Sequence, residues 1–121
     1  MHALIIEDES LIVMAIEDAL RGCGFTSFHV AFSADEAIAA AARKCPDLIT
    51  ADVELRPGCG IETVQSICSG SPIPVVFITG SPAQVRMKMP RHGLVEKPFN
   101  AEHIVTAVRL ALESRDSNVA E

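Results

Sequence analysis

Apolar and polar positions follow one another along this chain in short blocks, and the blocks come in pairs. Ala3-Leu4-Ile5-Ile6 is an apolar run cut off by Glu7-Asp8-Glu9, the pattern of a short buried strand. Ser10 can cap a first helix, in which Leu11, Met14, Ala15 and Leu20 fall near helical spacing until Gly22 and Gly24 close it. Phe25 to Phe32 is partly aromatic and partly β-branched, which predicts a second strand. Ser33-Ala34-Asp35-Glu36 has the form of a capping box before an alanine-rich run to Arg43, and Pro46 stops that helix. Asp47 opens a third strand, Leu48 to Ala51, which breaks into a loop marked by Pro57, Gly58 and Gly60. Ile61, Val64, Gln65 and Cys68 predict a third helix ended by Gly70, and Val75 to Thr79 a fourth strand. Gly80-Ser81-Pro82 reads as turn, cap and first helical residue. The helix from Pro82 to Met89 must be short or irregular, because Pro90 ends it. Gly93 to Glu96 is a fifth strand and Lys97-Pro98-Phe99 a loop. Asn100 caps a last helix that offers Ile104, Val105, Val108, Leu110 and Leu112 to a core. From about Ser114 the pattern is lost, so one domain over residues 1–113 and a frayed tail over 114–121 are expected.

Strand and helix thus alternate five times, which argues an α/β fold: a doubly wound, five-stranded parallel sheet with helices on both faces. The length of 121 residues suits a single core, and a hydrophobic content of 49% excludes disorder for its body. No apolar run reaches ~20 residues and no basic region precedes one at the start, so a cytoplasmic protein without membrane attachment is expected. The net charge of −6, without a Lys/Arg block, and the absence of Trp and Tyr argue against nucleic-acid binding. Cys23, Cys45, Cys59 and Cys68 form no C-x-x-C pair and read as small core or surface thiols. His2, His29, His92 and His103 are too scattered for a shared metal site.

What the core does not need is the set of polar residues at the strand ends. Strand one runs into Glu7-Asp8-Glu9, strand three into Asp52, strand four into Thr79 and strand five into Lys97. A parallel sheet lines these up along its carboxyl edge, where such folds bind ligands. Carboxylates gathered there repel one another, and a few-carboxylate site with room for water and phosphate suits Mg²⁺. Lys97 adds a fixed positive charge and Thr79 a hydroxyl donor. The parts suit phosphoryl transfer to a carboxylate whose new charge is neutralised by metal and lysine.

At these residues the sequence resembles the receiver domain of two-component response regulators. The resemblance covers about residues 2 to 113 and rests on Leu4-Ile-Ile-Glu-Asp-Glu9, Asp47-Leu-Ile-Thr-Ala-Asp52, Pro74-Val-Val-Phe-Ile-Thr79 and Glu96-Lys-Pro-Phe99 in that order. It implies a flavodoxin-like (βα)5 fold and a phosphoprotein of bacterial phosphorelay signalling. By resemblance, Asp52 is the phosphoacceptor and Asp8 binds Mg²⁺ directly. Glu7 binds it through water, and Glu54 through its main-chain carbonyl. Thr79 is the hydroxyl switch, Lys97 the phosphate-binding cation, and the Lys97–Pro98 bond is cis. Glu54, two residues past the acceptor, and Ser81, two past the switch, occupy positions that tune dephosphorylation.

The chain departs from the family pattern in places. Leu94 stands where most receivers carry an aromatic switch residue, so activation must be transmitted differently. Gly80 replaces a common Ala, Arg56 takes the place of the usual loop Pro, with Pro57 one position on, and Cys59 replaces a common Asp. Phe77-Ile78-Thr79-Gly80 and the short segment after it resemble a subgroup of single-domain receivers common in alphaproteobacteria. The expectation is a stand-alone receiver that takes a phosphoryl group from a sensor histidine kinase or phosphotransfer protein. It would be a phosphoacceptor rather than an enzyme with a separate substrate, catalysing only its own phosphorylation and dephosphorylation. It would signal to a downstream protein target, or drain phosphoryl groups as a sink. The alternative is a receiver-like binding module independent of phosphorylation. A small phosphohydrolase and a receiver cut from a larger regulator are the remaining readings.

Overall fold

The computed structural model describes residues 1–55 and 57–120, with side chains up to Ser114. Arg56 and Glu121 lie outside the described residues. The elements are β1 His2–Ile6, α1 Ser10–Arg21, β2 Ser27–Ala31, α2 Ala34–Arg43, β3 Leu48–Ala51, α3 Gly60–Cys68, β4 Val75–Thr79, α4 Pro82–Lys88, β5 Gly93–Glu96 and α5 Ala101–Ala120. All neighbouring strands pair in parallel, in the order β2-β1-β3-β4-β5. The doubly wound parallel sheet expected from the alternation is therefore present, in the flavodoxin-like form that the resemblance implies. Its order reverses between β1 and β3, where the chains leave the sheet in opposite directions and open a crevice.

The three inner strands β1, β3 and β4 bury both faces, which is why they read as continuous apolar runs. Leu4 and Ile6 of β1 join Ile49, Ala51 and Phe77 in a core roofed by Ala37, Ala40, Ile61, Val64 and Val85 of α2, α3 and α4. Ala3 and Ile5 turn the other way, with Leu48, Val76, Ile78 and Val95, toward Val13, Ile16, Leu20, Ile104 and Val108 of α1 and α5. The period of two along β1 thus serves two separate cores.

Helix starts differ from the sequence expectation in instructive ways. Ser10 is already helical, and Glu9 takes the N-cap position without a side-chain bond. The Ser33 cap forms as expected: its Oγ accepts the Glu36 N–H (3.3 Å) while Glu36 Oε2 accepts the Phe32 N–H (2.9 Å). Asn100 Oδ1 accepts the His103 N–H (3.0 Å), and His103 Nδ1 in turn accepts the Asn100 N–H at 3.4 Å. Ser81 precedes Pro82 as expected, yet its side chain makes no cap bond. Strand β2 is shorter than the Phe25–Phe32 run because Phe25 turns into the α1 core and Phe32 lies outside the ladder. Helix α5 continues to Ala120, past Ser114 where fraying is expected.

Candidate functional site

The sheet carries its hydrogen bonding one residue past each strand, and this sets the height of the polar residues at its carboxyl edge. The Glu7 N–H donates to the Ala31 carbonyl (3.1 Å), the Asp52 N–H to Ile6 (3.0 Å) and the Lys97 N–H to Thr79 (2.9 Å). The Lys97–Pro98 peptide is cis, as the resemblance implies. Three chain segments far apart in sequence then converge. Lys97 Nζ donates to Glu7 Oε1 at 2.9 Å and to Asp52 Oδ2 at 3.2 Å.

Glu7 is 1% exposed and Asp52 6%, so the ammonium is the compensation that makes two buried carboxylates tolerable. The second Glu7 oxygen accepts the N–H groups of Asp8 (3.1 Å) and Glu9 (3.2 Å). Burial pushes the Glu7 carboxyl above its ordinary value and the Asp52 charge adds to this, against the opposing bond from Lys97. Burial pulls the Lys97 ammonium down, but the bond to Glu7 and the charges of Glu7 and Asp52 outweigh it, so its pKa is raised and it stays charged.

Asp8 is exposed and completes the acidic group: one carboxylate oxygen each from Glu7, Asp8 and Asp52 lie within 4.8 Å of one another. One lysine against three carboxylates leaves an excess of negative charge, and an all-oxygen donor set open to water on one side fits a hard divalent cation such as Mg²⁺. The opening is a pocket of about 370 Å³ lined by Asp8, Glu9, Asp52, Glu54, Gly80 and Lys97.

The remaining sequence-predicted residues surround this pocket. Glu54 donates its N–H to Asp52 Oδ1 (3.2 Å), and its carboxylate accepts a hydrogen bond from the Ser81 hydroxyl. That contact explains the missing Ser81 cap and joins the loop after β3 to the loop after β4. Thr79 is fully buried, and its Oγ1 accepts the Ser81 N–H (3.0 Å). Leu94 is half-buried against the core on the α2, α3 and α4 face.

Sequence patterning alone left two features of the site unread. The Glu7–Lys97 bond joins residues 90 positions apart, which no local spacing reveals. Gly60 marks a loop in the sequence, but a Cβ placed there would lie 1.8 Å from the Asp52 carbonyl oxygen. Its N–H donates to the Val53 carbonyl at 2.9 Å, so this glycine lets α3 begin directly against the Asp52 backbone. The pair Gly58-x-Gly60 carried that signal, Gly58 supplying the positive φ of +109° that closes the loop.

A five-stranded doubly wound sheet with an acidic pocket and a half-buried lysine at its carboxyl edge defines the receiver class of signalling domain. The chain belongs to the response regulator receiver domain family, which it matches over residues 3–109. It is 30% identical over 115 residues to the transcriptional regulatory protein PdtaR of Mycobacterium tuberculosis, covering 92% of this chain and 56% of that one. It is 28% identical over 123 residues to the KDP operon transcriptional regulatory protein KdpE of Escherichia coli, covering 98% and 54%. The chain thus spans about half the length of these curated relatives. Among solved structures, the receiver domain of the PhyR response regulator of Erythrobacter litoralis superposes with a TM-score of 0.82 at 36% identity, covering 93% of this chain and 89% of that one. PhyR of Brucella abortus superposes with 0.88 at 32%, covering 97% and 49%. Among the described residues no helix is long and apolar enough to cross a membrane.

Proposed function

We propose that this receiver accepts a phosphoryl group from the phosphohistidine of a sensor kinase or phosphotransfer protein onto the Asp52 carboxylate. The observation that carries the reading is Lys97 Nζ held between Glu7 and Asp52 at 2.9 and 3.2 Å beside an open acidic pocket. In the transfer, an Asp52 oxygen forms a bond to phosphorus as the phosphorus–nitrogen bond breaks, and the imidazole leaves with a proton. Asp8 and Asp52 would hold Mg²⁺ directly, with Glu7 through water and the Glu54 carbonyl completing the set, and the ion would supply positive charge to the phosphoryl oxygens. Lys97, already anchored by Glu7, stays beside the acceptor and offers its remaining donor capacity to a phosphoryl oxygen. Thr79 holds its hydroxyl oxygen on the Ser81 N–H, leaving its own proton to donate once a phosphoryl oxygen comes within reach. Glu54 and Ser81 border the approach to Asp52 and set the lifetime of the product. The product signals through a protein partner or returns its phosphoryl group to water.

Intact mass after incubation with Mg²⁺ and acetyl phosphate tests this. One added phosphoryl group is expected, absent in Asp52→Asn and absent after chelation. Leu94, which lacks the aromatic ring, favours one second reading, a binding module indifferent to phosphorylation. No adduct on rapid quenching, together with no response to beryllofluoride, would establish that reading instead.

A further inference from the structure

The fold sorts the four free cysteines by face and by edge. Cys23 packs against the core under α1 and α5, and Cys59 and Cys68 against the core under α2, α3 and α4. Cys59 precedes the first turn of α3 and Cys68 ends the helix, so at about 1.5 Å per residue they stand ~13 Å apart. Cys45 is exposed in the connection from α2 to β3. A crossover helix runs back against the parallel strands it joins, so α2 and α3 both end at the amino edge of the sheet. Cys45 and Cys68 share that edge, opposite the acidic pocket.

The strand register brings these two thiols toward each other. Cys45 Sγ donates to the Pro46 carbonyl (3.8 Å) on the lead into β3, and Cys68 Sγ to the Ile73 carbonyl (3.9 Å) on the lead into β4. Ile49 pairs with Val75, and its N–H donates to the Pro74 carbonyl at 2.9 Å. The same register sets Asp47 beside Ile73, one strand spacing of about 4.8 Å away. The carbonyls that hold the two sulfurs thus lie on adjacent strands, one residue out of step. Lys44 and Cys45 are exposed while Pro46 is buried, so Cys45 can swing about a fixed point to meet the geometry of a disulfide. Burial pushes the Cys68 thiol above its ordinary value; its bond to Ile73 opposes this, and the charge of nearby Cys45 adds to it. Cys68 therefore stays protonated, and exposed Cys45 is the thiol that a dissolved oxidant reaches first.

We propose that Cys45 and Cys68 form a reversible dithiol–disulfide pair, a redox site whose oxidant is a peroxide. The Cys45 thiolate attacks one peroxide oxygen as the O–O bond breaks, giving a sulfenic acid and, with hydrogen peroxide, one water. Cys68 Sγ then attacks the Cys45 sulfur; the S–S bond forms, the S–O bond breaks, and hydroxide leaves with the Cys68 proton as a second water. The two thiols lose two electrons, the peroxide gains them, and a thiol reductant reverses the bond. The disulfide closes residues 45–68 into a ring that contains β3, Asp52, Glu54 and Gly60, and it ties the end of α2 to the end of α3. Its formation does not depend on phosphoryl acceptance by Asp52.

The test treats the full, reduced chain with hydrogen peroxide at neutral pH, blocks remaining thiols with N-ethylmaleimide and maps the peptides by mass. Two of the four cysteines should escape alkylation, in a Cys45–Cys68 linked peptide within one chain, and dithiothreitol should restore both. Cys68→Ser should stop at a sulfenic acid on Cys45, trapped by dimedone. Cys45→Ser should slow oxidation of Cys68 at least about tenfold. A chain with Cys23→Ser and Cys59→Ser should form the bond as the parent does. So should Asp52→Asn, which separates this result from the phosphoryl adduct. Alkylation of all four thiols after peroxide would overturn the proposal. So would a link through Cys23 or Cys59, a link only between two chains, or equally fast linkage in urea, which would show that the fold does not bring the pair together.

Discussion

Gly60 and Lys97 show how much of the site depends on single residues. A methyl group at Gly60 would meet the Asp52 carbonyl at 1.8 Å, and backbone cannot yield as a flexible side chain can. Gly60→Ala is expected to destabilise the fold by about 1–3 kcal/mol, read from the urea midpoint, and to reduce phosphoryl acceptance by displacing Asp52. A variant as stable as the parent would mean that α3 slides at little cost. Lys97→Met leaves Glu7 buried without its counter-ion, an expected loss of about 3 kcal/mol at neutral pH. Glu7 already has a raised pKa, and loss of the ammonium raises it further. A raised carboxyl contributes its full stability below its ordinary value of 4.5 and loses it as pH rises through the folded value. The deficit of Lys97→Met should therefore shrink on acidification toward that value, and a deficit independent of pH would remove Glu7 from the explanation.

At the scale of elements, the loops after β3 and β4 are joined over the pocket by Glu54 and Ser81, and Val85 is the one fully buried residue of α4. Ser81→Ala and Glu54→Ala should each loosen the connection, and the double variant should do little more than either. A coupling of about 0.5–1 kcal/mol in a double-mutant cycle is expected; additive effects would mean that the two loops move independently. The same pair of changes, read as phosphoryl lifetime, reports whether this contact governs access to Asp52. His92 belongs to the turn between α4 and β5, where its ring meets Phe77 edge-on with centroids 6.1 Å apart. Burial lowers its pKa below the ordinary 6.5, because the charged ring would lose its water. A depressed histidine favours folding above 6.5, and that contribution is lost as pH falls through the folded value. The His92 ring titration followed by NMR should have its midpoint below 6.5; a midpoint at or above it would show that the turn opens in solution.

The whole molecule carries excess negative charge, −6 over 121 residues, and concentrates three carboxylates at one edge of the sheet. A cation that binds only the folded chain stabilises it, by about 2.7 kcal/mol at a hundredfold excess over its Kd. Mg²⁺ should raise Tm for the parent, and Asp8→Asn, a change at an exposed position, should abolish most of that rise while leaving the metal-free Tm near or above the parent's. Equal responses of the two proteins would place the ion elsewhere. Residues 3–109 fall within the receiver family, so the two cores packed on opposite faces of one sheet are shared architecture.

Local chemistry along the chain was enough to specify most of the fold. Strands β1, β3 and β4 are short apolar runs ended by charge or glycine, and their burial on both faces makes that pattern unambiguous. Ser33 and Asn100 cap helices because their side chains reach only a few residues along the chain. The order of the acidic, threonine and lysine motifs likewise predicted which residues meet at the carboxyl edge. How they meet was settled by packing in three dimensions. Ser10 and Ser81 carry the same capping chemistry as Ser33, yet neither caps, since Glu9 precedes the first turn of α1 and Glu54 takes the Ser81 hydroxyl. The division of Lys97 between Glu7 and Asp52 and the closeness of Gly60 to the Asp52 backbone both join segments separated in sequence. Such contacts are fixed by strand order and packing, which no local window of residues contains.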